Sequence, residues 1–140
     1  AEQMERFVKK ITETLWVLKD KTIGVLGLAF KQNTDDVRSS PAIDLCQRLL
    51  KEGAALRVYD PKAMDKAKAL LPGVTYVADM NDVAQDCDAL VVATEWDEFK
   101  QLDLERARKA LSAPIMFDGR NLFDPEEMEK LGWIYKSIGR

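Results

Sequence analysis

A run of five apolar residues, 89–93 (ALVVA), restricts the possible fold more than any other feature of this sequence. Because it has no polar residue at alternate positions, a strand built from it would be apolar on both faces. Strands of that kind lie at the centre of parallel sheets, covered by helices on either side. The run therefore predicts an α/β protein with a buried central strand.

Predicted strands and helices alternate along the rest of the chain. Short apolar or β-branched runs predict strands at 22–26, 56–59, 74–77, 89–93, 115–117 and 133–138. Such alternation specifies a parallel sheet with right-handed crossovers. We therefore expect an α/β, Rossmann-like, doubly wound parallel sheet of about five or six strands with helices on both faces. The expected strand order is 3-2-1-4-5, with the sixth strand at an edge.

Capping residues mark where the predicted helices begin and end. Helix starts are predicted at Ser40-Pro41, Asp60-Pro61, Asp79, Asp103 and Asp124-Pro125, and helix ends at Gly53, Pro72-Gly73 and Gly132. The helix that follows Asp60-Pro61 is predicted to turn four apolar side chains inward, Met64, Ala67, Leu70 and Leu71.

The first residues predict a long amphipathic helix over about 1–17. Apolar residues recur there at helical spacing, and no capping residue precedes them. A helix that starts uncapped is typical of the tail of a longer one. We therefore divide the chain into residues 1–20, the end of a longer helix, and residues 21–140, the α/β domain.

The turn after the first strand resembles a dinucleotide-binding turn but lacks its glycines. Gly27 is present, but Ala29 and Gln32 stand where the fingerprint has Gly and then Gly or Ala. A long polar loop follows, and it carries Lys31 and Arg38. A phosphate could therefore be held there by side-chain cations instead of by backbone amides alone.

Three cations are predicted at the carboxyl edge of the sheet, where ligands bind in open α/β folds. Lys31 and Arg38 follow the first strand, and Arg120 follows the fifth. Since neighbouring strands lie about 4.8 Å apart, roughly 10 Å separates the ends of strands one and five, about the span of a nucleoside diphosphate. In the alternative interpretation, Arg38 pairs with Asp35 or Asp36 and Lys31 is solvated.

Other residues at this edge have a functional and a structural interpretation. Asp60 could hold a ribose, or it could cap the helix that follows. Trp96 and Phe99 could stack on a base, or pack their loop onto the sheet. Asp118 could cap the turn at Gly119. In each case the structural interpretation is favoured.

Composition excludes several functions. The net charge of −3 argues against a nucleic-acid binder, and the absence of histidine excludes a histidine triad or a histidine-ligated metal. Asp35-Asp36 is weak evidence for Mg²⁺, and no metal site is predicted. Cys46 and Cys87 lie in apolar patterns on predicted helices, so we expect buried, unpaired thiols. No membrane-spanning run or signal peptide is visible, and a reduced, cytoplasmic setting fits.

Six motifs in register resemble the UDP-glucose/GDP-mannose dehydrogenase family. They begin at Gly27 (GLAFK), Thr34 (TDDVR), Ser40 (SPA), Tyr59 (YDP), Ala93 (ATEWDEF) and Asp118 (DGRN). Their order and spacing fit the C-terminal, UDP-binding domain of that family from about residue 4 to the end. The resemblance implies that residues 1 to about 17 are the tail of the family's central, dimerising helix.

The resemblance also implies a function and a set of site residues. Family enzymes oxidise a UDP-sugar alcohol twice to the carboxylate, using NAD held mainly by a separate N-terminal domain. Phe30 and Lys31 match the loop pair that holds the UDP-sugar, Arg120 matches an arginine on the substrate nucleotide, and Arg38 matches one that reaches the NAD pyrophosphate. The nucleophilic cysteine motif is absent, so no catalytic residue is expected in this chain. The implied partners are UDP-glucose or a related UDP-sugar and the N-terminal domain, in a homodimer or larger assembly.

Two alternatives stay open at this stage. The sugar or base could differ, as in a UDP-N-acetylmannosamine or GDP-mannose dehydrogenase, because most of the sugar pocket would lie outside this chain. A phosphoacceptor receiver module is also doubly wound, and Asp35-Asp36 and Thr94 imitate two of its site residues. The chain lacks the lysine such a module has after its fifth strand.

Overall fold

A computed structural model describes residues 2–139 as one six-stranded, all-parallel sheet flanked by helices. The strand order is β3-β2-β1-β4-β5-β6, which confirms the predicted doubly wound order and the sixth strand at an edge. The strands are Thr22–Leu26 (β1), Ala55–Tyr59 (β2), Thr75–Tyr76 (β3), Ala89–Val92 (β4), Ile115–Asp118 (β5) and Ile134–Ser137 (β6). The α-helices are Glu2–Leu15 (α1), Pro41–Lys51 (α2), Met64–Ala67 (α3), Leu104–Ala110 (α4) and Pro125–Lys130 (α5).

The apolar run at residues 89–93 lies where its composition predicted. All four residues of β4 are buried, and β4 pairs with β1 on one side and β5 on the other. The order reverses direction between β1 and β4, so right-handed crossovers put helices on both faces. This reversal is the point at which open α/β sheets bind ligands.

Helix α1 packs against the sheet domain through its apolar stripe. Phe7, Ile11 and Leu15 are buried in the same core as the strands, so the stripe is covered within this chain. The helix ends at Leu15, before the predicted end near residue 17, because Trp16 adopts a positive φ of 70°. The predicted start at residue 1 lies outside the described residues.

The predicted capping residues are confirmed for α2, α4 and α5. Ser40, Asp103 and Asp124 each accept a hydrogen bond from the backbone N–H three residues on. Asp79 caps only a 3₁₀ turn, Met80–Asp82. These caps fix where each helix starts relative to the strand before it.

Three predictions about the region after β2 and around Cys87 are wrong. Helix α3 begins at Met64, not at Asp60-Pro61, and is a single turn. Because the chain leaves the helix after Ala67, Leu70 no longer shares the inward face and is 41% exposed. Cys87 lies in a turn after the Met80–Asp82 segment rather than on a helix, although it is buried as predicted.

No helix among residues 2–139 is both long enough and apolar enough to cross a membrane.

Candidate nucleotide site

The loops after β1, β2, β4 and β5 meet at the carboxyl edge of the sheet. The parallel registers align Leu26 with Tyr59 and Val92, and Val92 with Asp118, so these strands end side by side. The predicted binding residues Phe30, Lys31, Arg38 and Arg120 all lie on these loops. The carboxyl edge of the sheet is therefore the candidate ligand site.

Gly27 lets the turn after β1 pack directly against the loop after β4. Its φ is +104°, and a Cβ there would lie 2.5 Å from the Cβ of Thr94. Thr94 Oγ1 also donates a hydrogen bond of 2.9 Å to the carbonyl of Ala29. The first glycine of the altered fingerprint is therefore required by the close packing of the loop after β1 on the loop after β4.

The Asp60 carboxylate is buried and engaged within the protein. Its Oδ1 accepts hydrogen bonds from the backbone N–H groups of Lys62 and Ala63, each at 2.9 Å. Its Oδ2 accepts from the N–H groups of Leu28 and Ala29. The predicted helix cap is wrong, because Asp60 caps a turn before α3, and the helix itself has no side-chain cap. The carboxylate is engaged within the protein and is not placed to hold a ribose.

Phe30 and Lys31 lie at the exposed tip of the loop after β1. The loop is closed at its base by a 2.7 Å hydrogen bond from the Phe30 N–H to the Asp36 carbonyl. The Phe30 side chain is 46% exposed, and Lys31 is exposed beside it. Within residues 2–139, Lys31 takes part in no ion pair, so its charge is available to an anion.

Arg38 forms an ion pair with Asp36, as the alternative interpretation predicted. Its Nε lies 3.1 Å from Asp36 Oδ1, and the pair holds the pKa of the Asp36 carboxyl below its usual value. Asp35 pairs with Lys66 at 3.1 Å. Both carboxylates of the possible Mg²⁺ pair, Asp35 and Asp36, therefore form ion pairs with cationic side chains. Within the described part of the chain, no three acidic, Cys or His residues are placed to bind a metal ion.

Arg120 is held at the carboxyl end of β5 by its neighbours. Its Nε lies 2.5 Å from Glu95 Oε2 on the loop after β4, and its backbone N–H donates to Asp118 Oδ1 at 3.0 Å. No hydrogen bond within residues 2–139 uses its Nη groups. Arg120 lines a cavity of about 460 Å³ whose wall includes Phe7, Ala93 and the start of α2 at Ser40.

The loop after β4 lies between the two candidate cations and contacts both of their segments. The Asp97 N–H donates to Gln32 Oε1 at 3.1 Å, next to Lys31, while Glu95 pairs with Arg120. Trp96 and Phe99 are buried, so they pack this loop onto the sheet, as the structural interpretation predicted. The exposed aromatic at the site is Phe30.

Two contacts at the candidate site were not foreseen from the sequence. Glu95 was quoted only as part of a motif, yet it holds Arg120. Asp60 was expected to cap the helix that follows it, yet it binds the turn after β1, 31 and 32 residues away. Both residues closely follow a strand, Asp60 after β2 and Glu95 after β4. Side chains at such positions can reach the neighbouring loops, and this was the available signal in the sequence.

Both cysteines are buried, and burial raises the pKa of each thiol to about 12. We expect neither to react with a disulfide reagent in the folded protein at neutral pH, whereas both react after unfolding in denaturant. Because unfolded thiols ionise near 9.0, these groups also favour unfolding as the pH rises from there toward 12. Stoichiometric labelling of the native protein would contradict this placement of the thiols.

The chain is similar to known proteins of one family. The sequence profile of the "UDP-glucose/GDP-mannose dehydrogenase family, UDP binding domain" matches residues 24–125. UDP-glucose 6-dehydrogenase TuaD of Bacillus subtilis (strain 168) is 44% identical over 139 residues, covering 99% of this chain and 30% of the relative. This chain thus spans about 30% of the length of the curated relatives it matches.

Two solved structures are similar over nearly the whole chain. A UDP-glucose dehydrogenase from Pyrobaculum islandicum is 36% identical with a TM-score of 0.80, and the match covers 96% of this chain and 29% of that one. A UDP-D-ManNAc dehydrogenase from Pyrococcus horikoshii is 30% identical with a TM-score of 0.76, and the match covers 98% of this chain and 30% of that one.

Proposed function

The chain belongs to the UDP-glucose/GDP-mannose dehydrogenase family, matching its UDP-binding domain, and from this we propose that it binds the nucleotide half of a UDP-sugar at the carboxyl edge of its sheet. The observation that carries the proposal is the placement of Lys31 and Arg120 on opposite sides of the loop after β4. Because the chain belongs to this family, the phosphoacceptor receiver module is no longer an alternative.

Each site residue is assigned a role that its geometry supports. Lys31, exposed and outside any ion pair in the described residues, binds the diphosphate as a point charge. Arg120 directs its Nη groups at the nucleotide, while the ion pair of its Nε with Glu95 keeps the side chain at the end of β5. Phe30 provides an apolar surface at the tip of the loop.

In the full-length protein, we propose that this domain presents a UDP-sugar, of which UDP-glucose is our first candidate, to an NAD-dependent oxidation in another domain. The turn after β1 does not itself fit a dinucleotide, because Asp60 already uses the N–H groups of Leu28 and Ala29. Arg38 is 89% exposed at its side chain, and we assign it to the NAD pyrophosphate, which would draw it from Asp36. NAD would supply the hydride acceptor; this chain's own residues bind and orient the substrate.

Further proposals concern the surroundings of this domain. Residues 1–20 are assigned to the end of a linker to an N-terminal domain, with α1 at Glu2–Leu15 as its helical part, and residues 21–140 are assigned to the nucleotide-binding domain. The complete protein works in the cytoplasm as a homodimer or larger assembly. The packing of α1 on the sheet core supports a fixed junction between linker and domain.

Replacing Lys31 with alanine tests the assigned site. We expect UDP affinity, measured by titration calorimetry, to fall roughly tenfold or more, because a charge-assisted contact contributes about 1.5–3 kcal/mol. The matched control is Lys51→Ala, which removes an exposed lysine from the far end of α2. Equal affinities for the two variants would remove Lys31 from the site.

A further inference from the structure

We propose that Asp60 is a positioning residue that holds together the two loops of the nucleotide site; this rests on the proposed function. One atom, Oδ2, accepts hydrogen bonds from the N–H groups of Leu28 and Ala29, at 2.8 and 2.9 Å. The same atom accepts from Trp96 Nε1 at 3.1 Å. Asp60 thereby joins the loop after β1 to the loop after β4.

The positions of these donors connect Asp60 to the site cations. Ala29 lies two residues before Lys31, so the Asp60 contacts fix the start of the loop that carries this lysine. Trp96 directly follows Glu95, which holds Arg120. A single carboxylate oxygen therefore links the two segments that orient Lys31 and Arg120, in addition to the Thr94–Ala29 and Asp97–Gln32 hydrogen bonds.

The burial of Asp60 makes this arrangement rigid. The residue is 0% exposed, and its carboxylate accepts five N–H hydrogen bonds, three at Oδ2 and two at Oδ1. Hydrogen bonds to an ionised acceptor are short and strong, and a buried carboxylate that loses them is costly. The loops therefore cannot separate without leaving a buried charge poorly satisfied.

The arrangement also accounts for the altered glycine fingerprint. In a dinucleotide turn, glycines let the backbone approach the pyrophosphate. Here the N–H groups of Leu28 and Ala29 face the protein's own carboxylate instead. The turn needs no close approach by a ligand, so Ala29 is tolerated, and a ligand phosphate must be met by side chains such as Lys31.

Trp96→Phe is the main test, because it removes one donor to Asp60 and retains an aromatic ring. We expect amide hydrogen exchange across residues 30–38 to accelerate by about tenfold or more as the loop opens locally. We expect UDP affinity to fall by about threefold or more. We expect Asp60→Asn to have larger effects on both exchange and affinity. The asparagine side chain has only one oxygen, so its NH₂ group must face the N–H donors on one side.

Trp133→Phe is the matched control. Trp133 is another buried tryptophan, but its Nε1 has no hydrogen-bond partner within the described residues and it lies beside α4 and Leu131, away from the site. We expect this variant to leave loop exchange and UDP affinity unchanged, so that general loosening of the core is separated from loss of the Asp60 contact.

The two readouts distinguish failure of this inference from failure of the proposed function. If exchange across residues 30–38 in Trp96→Phe equals that in Trp133→Phe, the positioning role of Asp60 is overturned, whatever the affinity for UDP. If the unmodified chain fails to bind UDP, the proposed function fails in that assay, and the exchange comparison still decides whether Asp60 orders the loop.

Discussion

Gly27→Ala is expected to lower the free energy of unfolding by about 3 kcal/mol or more, from a strained backbone plus an overpacked contact. The φ of +104° is unfavourable for alanine, and its Cβ would lie 2.5 Å from the Cβ and 2.6 Å from the N of Thr94. Both of these atoms belong to a buried, hydrogen-bonded residue that cannot withdraw without breaking the contact with Ala29. Urea denaturation measures the loss.

Gly73→Ala is the matched control for this prediction. Gly73 also has a positive φ, +83°, but a Cβ there would meet nothing within 4 Å. We expect it to cost about 1 kcal/mol, the backbone contribution alone. If the two variants lost equal stability, the contact between the loops after β1 and β4 would not be what requires glycine at position 27.

Asp118→Ala is expected to cost about 3 kcal/mol or more in the free energy of unfolding, because it removes the shared acceptor of four part-buried hydrogen bonds at once. The carboxylate is fully buried and accepts hydrogen bonds from four groups: the N–H of Arg120, Leu122 and Phe123 and the hydroxyl of Tyr135. Because the turn it organises carries Arg120, we also expect UDP affinity to fall in any variant protein that still folds.

Asp124→Ala provides the comparison for Asp118. Asp124 is exposed and caps α5 with one hydrogen bond, from the Glu127 N–H at 3.0 Å. Loss of such a cap costs about 1 kcal/mol. Thermal or urea denaturation of the two variants would give similar losses only if the Asp118 network contributed little, which would contradict its assigned part in ordering the end of β5.

The sheet and most helix starts could be predicted because their signals are local. The apolar run at 89–93 is buried wherever such a sequence folds, and Ser40-Pro41 or Asp124-Pro125 begins a helix through atoms within one turn. The doubly wound order followed from alternation and crossover handedness. These features do not depend on which distant residues meet.

The errors and omissions arise where distant contacts decide. Asp60-Pro61 resembles a helix start, but the Asp60 carboxylate is committed to the turn after β1, and α3 begins only at Met64. Leu70 was predicted to be buried on a helix that ends before it. The adjacency of β4 and β5 was predicted, but the pairing of Glu95 with Arg120 depends on the conformation of the two loops that follow these strands, which strand order does not specify.

The candidate site itself was predicted in part. Lys31, Arg38 and Arg120 lie at the carboxyl edge, as expected from their positions after β1 and β5. The sequence offered the pairing of Arg38 with Asp35 or Asp36, and a solvated Lys31, only as an alternative interpretation, and it could not decide between the two. Their assignment to ligand phosphates stays a prediction.

The most direct measurement is calorimetric titration of this chain with UDP, UDP-glucose, GDP and NAD⁺ under identical conditions. We predict saturable one-to-one binding of UDP and UDP-glucose, with GDP and NAD⁺ at least about tenfold weaker, equivalent to roughly 1.4 kcal/mol. Tighter binding of GDP would move the chain to the guanosine branch of the family. Tighter binding of NAD⁺ than of UDP would contradict the central claim that this edge of the sheet binds the nucleotide of a UDP-sugar.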